Sequence, residues 1–187
     1  MSQNLRDYTK ALYGFDHVMR LVPDKAWDRK SVCAGWTVRD VAGHAMSIVK
    51  TTDVAIRTGR MPKLPSSPGK GAGKDPGKTW AKTRDSVLEA LDHSGVLQKR
   101  IPTFFGEQPV DDSIGFAMND LLVHTWDVAR SAKVHEALDP VLCKRVYESL
   151  RPFGEALRQP RVFGPAITPP AGADIQTKLL CFTGRRP

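Results

Sequence analysis

Asp120 and His124 stand four residues apart in the stretch Phe116-Ala117-Met118-Asn119-Asp120-Leu121-Leu122-Val123-His124-Thr125-Trp126-Asp127-Val128-Ala129. On a helix that spacing places a carboxylate beside an imidazole on one face, together with Ala117, Leu121 and Val128. Two polar groups aimed into an apolar stripe are costly to bury unless something pairs with them. Either they satisfy each other or they hold a metal. A second segment, Thr37 to about Arg57, carries His44 three residues after Val41 and four before Ile48, so it points inward with them. Taken alone, an inward histidine reads as a hydrogen-bonded core residue, and an acid-x-x-x-His pair as a surface pair or cap. Together, His44, Asp120 and His124 are expected to converge on one divalent ion.

Two imidazoles and a carboxylate are borderline ligands that suit Zn²⁺, and nearly as well Ni²⁺, Co²⁺ or Fe²⁺. Three protein ligands leave a coordination position open, as in catalytic rather than structural sites. There, zinc lowers the pKa of bound water to about 7, and a coordinating thiol is deprotonated outright. Asp127, three residues after His124, is a candidate acceptor for its other ring N–H; the plainer reading is an exposed acid. The sequence itself designates no catalytic acid or base.

The elements that must position these residues read as helices. Leu5, Tyr8, Leu12, Phe15, Met19 and Val22 recur at three- and four-residue spacing, predicting a helix over about 3–22 that Pro23 ends. The link 23–36 holds Trp27 and Trp36 and is expected to fold back onto the bundle. Thr37, with Asp40 three residues on, has the pattern of a capping box for the second helix. Thr79 is the expected cap of a third helix ending near His93-Ser94-Gly95, with His93 favoured at its carboxyl-terminal dipole. Val96 to Pro109 reads as a connection with room for a short hairpin. Asp112 or Ser113 is expected to open the fourth helix, which runs to about Ala132. Asp139-Pro140 announces another, and Asp174 a last short one stopped by Gly184. Pro160, Pro165, Pro169 and Pro170 mark the tail between them. His17 and His135 read as solvated.

Bulk composition narrows the function classes. The chain has 187 residues, 41% apolar and 26% charged, ordinary for one globular domain. No apolar run approaches the ~18 residues that span a bilayer, and the amino terminus lacks a signal-peptide core, so a cytoplasmic protein is expected. Cys33, Cys143 and Cys181 are odd in number and form no Cys-x-x-Cys, in keeping with a reducing compartment. The net charge of +8 looks like a nucleic-acid signal until it is located. Arg57 to Arg84 holds eight basic residues against Asp75, a local +7, in a stretch rich in proline and glycine. That composition predicts a flexible loop over about 59–78 that packs no core. With no aromatic before Trp80, no base-stacking platform is expected, and no nucleic-acid partner.

Two motifs resemble a known family. Ser31-Val32-Cys33-Ala34-Gly35-Trp36-Thr37-Val38-Arg39-Asp40-Val41-Ala42-Gly43-His44 is similar to the opening signature of the mycothiol-dependent maleylpyruvate isomerase N-terminal domains, within the DinB-like metal-binding bundle superfamily. Asp120 to Arg130 resembles the second signature, (D/E)-x-x-x-H-x-W-D-L-A-R. Gly95-Val96-Leu97, Phe163-Gly164-Pro165 and Gly184-Arg185-Arg186-Pro187 look like a short actinobacterial branch. The resemblance implies an all-α chain: one DinB-like four-helix bundle over residues 1–187, with long crossover loops and a short C-terminal extension from about 159. It implies that His44, Asp120 and His124 hold the ion, and that the ion activates a low-molecular-weight thiol, mycothiol or similar. The thiolate would add to an electrophilic substrate, with isomerisation or transfer to follow. The chain departs from the pattern where Asp120 replaces the isomerase glutamate and where Ser31-Val32 lacks the usual proline. It is also too short for the full-length isomerase's separate C-terminal domain, so maleylpyruvate itself is not the expected substrate. The alternatives are a metal- or small-molecule-binding bundle without turnover, and a metal-dependent hydrolase using bound water. Bundles of this kind often pair through a helical face, so a homodimer is compatible with the sequence, although no residue demands one.

Overall fold

The computed structural model of the chain describes residues 1–159 and 162–187; Pro160, assigned above to the proline-rich tail, lies outside the described residues. Two compact units are found, Met1–Glu136 and Ala137–Pro187.

The first unit is built on four helices, α1 (Gln3–Leu21), α2 (Val38–Thr58), α3 (Pro76–Leu91) and α4 (Val110–Ala132). They pack as a closed ring in which α1 meets α3, α3 meets α2, α2 meets α4, and α4 returns to α1. The α1 stripe is Tyr8, Leu12 and Phe15, all with no exposed surface, and Phe15 meets Trp80 of α3 edge-on at 4.6 Å. Ser2 caps α1 by accepting from the Leu5 N–H. The Thr37–Asp40 capping box is complete: each side chain accepts from the other residue's backbone N–H. Gly59, at φ 67°, closes α2 in the left-handed conformation that glycine adopts without strain.

Two helix starts differ from expectation. α3 begins at Pro76 rather than after Thr79. Asp75 accepts from the Lys78 N–H, and Pro76 takes the first helical position, where a missing N–H costs nothing. The Thr79 hydroxyl instead donates to the Asp75 carbonyl at 2.8 Å. α4 begins at Val110, directly after the hairpin formed by β1 (Arg100–Thr103) and β2 (Gly106–Pro109), not at Asp112 or Ser113. Asp111 and Asp112 lie in its first turn, where the helix dipole favours acids.

The proline- and glycine-rich stretch is also not the unpacked loop its composition predicts. Pro68–Ala72 forms a 3-10 turn packed on α2, with Ala72 wholly buried. The Gly69 N–H donates to Asp40 Oδ1 at 2.9 Å. A Cβ on Gly43 would run into the Pro68 carbonyl, and one on Gly71 into the Gly43 carbonyl. Glycine here brings backbone against backbone, which a count of apolar side chains does not register.

The second unit pairs α5 (Pro140–Leu150, capped by Asp139) with α6 (Ile175–Phe182, capped by Asp174). Tyr147 meets Phe182 edge-on at 5.7 Å. Among the described residues no helix is long and apolar enough to cross a membrane.

Candidate metal centre

α2 and α4 bring the expected residues together. His44 Nε2 and His124 Nε2 each lie 3.5 Å from Asp120 Oδ1. One potential ligand atom from each of the three side chains falls within 4.8 Å of the others. The two imidazole rings stand 5.0 Å apart at 82°, and Trp36 lies over both, with centroids 5.3 Å from His44 and 6.4 Å from His124.

Asp127 is not an exposed acid. Its residue has no exposed surface, and Oδ2 sits 2.9 Å from His124 Nδ1. In the neutral ring that contact favours the proton on Nδ1, which leaves the Nε2 lone pair for an ion in the cluster. Asp127 Oδ2 also accepts from Cys33 Sγ at 3.4 Å. The Ser131 hydroxyl donates to the Asp127 carbonyl at 2.6 Å and accepts from the Val32 N–H at 3.0 Å. The loop that carries Trp36 is therefore tied to α4 at two points. Cys33, His124 and Asp127 form a second close group of donors that shares His124 with the first.

Charge in the cluster is strongly coupled. Burial pushes the Asp120 carboxyl up, but His124 and then His44 outweigh it and hold the group well below the ordinary carboxylate range. Burial pushes the His124 imidazole down, and Asp120, Asp127 and Cys33 together raise it well above its ordinary value. Asp120 Oδ2 is buried with no hydrogen-bond partner, as is the Tyr8 hydroxyl, which burial, Asp53 and Asp120 keep protonated. Two nitrogen donors, one carboxylate and an orphaned carboxylate oxygen at a single point are a donor set that a divalent cation fits.

His17, His93 and His135 are exposed and belong to neither group. Sequence reasoning missed Cys33 and Trp36 as parts of the site. The available signal was a cysteine and a tryptophan three residues apart, immediately before a capped helix.

A family profile, the mycothiol maleylpyruvate isomerase N-terminal domain, matches residues 9–129. No curated protein shows significant sequence similarity to the chain. Among solved structures, the mycothiol-dependent maleylpyruvate isomerase is similar at 14% identity with a TM-score of 0.55, covering 79% of this chain and 68% of that one. A histidine-to-alanine variant of the isomerase gives 14% identity and a TM-score of 0.53, covering 79% of this chain and 66% of that one. The chain thus spans about two thirds of the length of those proteins, and at that identity the likeness shows the fold. The match across 9–129 takes in His44, Asp120, His124 and Asp127, and the chain belongs to the mycothiol maleylpyruvate isomerase N-terminal domain family.

Proposed function

We propose that this protein is a metal-dependent thiol S-transferase or isomerase acting with a low-molecular-weight thiol of the mycothiol type. His44, Asp120 and His124 would hold the ion, zinc by donor preference. A divalent ion supplies a fixed positive charge that favours thiolate over thiol at neutral pH. The remaining work falls to the chain. Asp127 keeps His124 in the tautomer that offers Nε2. Trp36 packs beside both imidazoles and puts an apolar ring where water would otherwise lie, which lowers the local dielectric on that side. In an addition the thiol proton passes to solvent, the sulfur pair forms a bond to carbon, and the carbon–carbon π pair moves onto the conjugated acceptor of the electrophile. After rotation about the resulting single bond, return of that pair expels the thiolate and gives isomerisation; at a carbon bearing a leaving group such as chloride, that group departs with its bonding pair and gives transfer.

The observation that carries this reading is the 3.5 Å approach of two imidazoles from separate helices to one carboxylate oxygen. A hydrolase is less well supported, because Asp127, the nearest further acid, is engaged by His124 and Cys33. Metal-loaded protein mixed with mycothiol and a chloroalkyl bimane tests the proposal. Conjugate formation faster than with thiol alone is expected. No acceleration with any of zinc, nickel, cobalt or iron leaves a binding protein without turnover.

A further inference from the structure

The donor stripe of α4 continues beyond the cluster as aromatic surface. Phe116 precedes Asp120 by four residues, as Asp120 precedes His124, so the three stack along one face with about 6 Å between successive Cβ atoms. Trp36 lies over the His124 end of this stripe, and Phe116 forms the other end. Phe116 is 41% exposed, and Phe105, at the hairpin tip, is 74% exposed. Their centroids lie 5.6 Å apart with planes tilted at 39°, so these two rings pack on each other rather than in the core. The hairpin touches both α2 and α4, the helices that supply His44 and Asp120. Phe104 adds a further exposed ring at its tip.

The ring pair itself says what such a wall suits. Two exposed rings tilted at 39° offer faces and edges on which a planar apolar group packs. Phe116 lies one helical turn from Asp120, so a molecule laid over the pair reaches the donor cluster, and the occupant is the molecule that reacts there.

We propose that Phe105 and Phe116 form the wall receiving the apolar body of the electrophile, a planar, typically aromatic, group. This rests on reading His44, Asp120 and His124 as the reaction centre.

The test uses saturated imides, which cannot accept a thiol, so binding is read without turnover. N-phenylsuccinimide and N-methylsuccinimide are titrated calorimetrically into the intact, zinc-loaded protein. The phenyl compound should bind about tenfold more tightly than the methyl one. The double variant Phe105→Ala/Phe116→Ala, with helicity checked by circular dichroism, should lose the phenyl preference, and Phe116→Tyr should keep it. The preference should also survive in His124→Ala, which separates this wall from the thiol chemistry: failed conjugation with an intact preference overturns only the catalytic reading. Equal affinities, no binding, or a preference that survives the double variant overturns the wall. So does conversion of a dimer to a monomer by the double variant in sedimentation, which would assign the rings to a second copy of the chain.

Discussion

At the scale of single residues, His124 is the side chain on which the most contacts converge. It faces Asp120 through Nε2 and Asp127 through Nδ1. Replacing it with alanine should abolish stoichiometric metal, measured by elemental analysis of dialysed protein, at near-unchanged helicity, because apolar packing of the four helices rather than the donor set holds the bundle. Retained metal would assign the ion to another place. Asp127→Asn should act more gently, weakening metal affinity roughly 10–100-fold in a chelator competition, since a carboxylate that orients a ligand contributes about that much. The cysteines separate by environment. Cys143 is buried, and burial, with Asp139 and Asp174, pushes its thiol up to about 12. At pH 8 such a thiol is roughly one part in ten thousand thiolate, and the thiolate is the nucleophile. Cys33 is partly exposed, while Cys181 is buried. Native protein treated with a maleimide at pH 8 should therefore label at Cys33 while Cys143 and Cys181 react only after unfolding. Labelling at Cys143 in folded protein would contradict the packing of α5.

At the scale of elements, Asp40 does two jobs with one carboxylate. Oδ2 completes the Thr37 cap and Oδ1 receives the Gly69 N–H, so the start of α2 and the docked 68–72 turn share a pin. Partial burial pushes this carboxyl up, and the Thr37 N–H and hydroxyl and the Gly69 N–H outweigh it and lower its pKa. A lowered carboxylate pKa means stability that is present above the unfolded value of about 4 and lost as pH falls through the folded value. Asp40→Ala should cost about 1 kcal/mol at pH 7, read from chemical denaturation, with the difference from wild type shrinking below about pH 4. A pH-independent difference would mean the carboxylate charge is not what caps α2. The turn itself was hidden from sequence reasoning because its packing is made by the backbones of Gly43, Gly69 and Gly71 rather than by side chains. The donor cluster was legible for the opposite reason: i,i+4 spacing fixes Asp120 beside His124 inside any helix, and the inward face of α2 fixes His44. No periodicity relates residues 33 and 36 to α4, so the places of Cys33 and Trp36 depended on the tertiary fold. The start of α3 was misread although Asp75-Pro76 carries the same signal as Asp139-Pro140, because the surrounding glycine and lysine masked it.

At the scale of the whole molecule, the net charge of +8 would ordinarily raise nucleic acid as a partner. The fold spends part of that charge internally. Arg57 pairs with Asp53 and Glu89, and Arg84 pairs with Asp16 and Asp85. Trp80, the aromatic nearest the basic stretch, is buried against Phe15 and offers no face to a base. On the connection between α2 and α3 the outward cations are Arg60, Lys63, Lys70 and Lys74, with Lys78 in the first turn of α3 beside Asp75. Each phosphate neutralised contributes about −0.9 to the slope of log affinity against log salt, so even full engagement of this string gives a slope no steeper than about −4 to −5. Without stacking or groove contacts, duplex and single-stranded DNA should bind no tighter than the usual non-specific range of roughly 10⁻⁴ to 10⁻⁶ M at physiological salt. Fluorescence anisotropy with a labelled 20-mer across a salt series decides it. Nanomolar binding, or a slope steeper than about −6, would require more phosphate contacts than this string of cations supplies and would move the protein out of small-molecule chemistry.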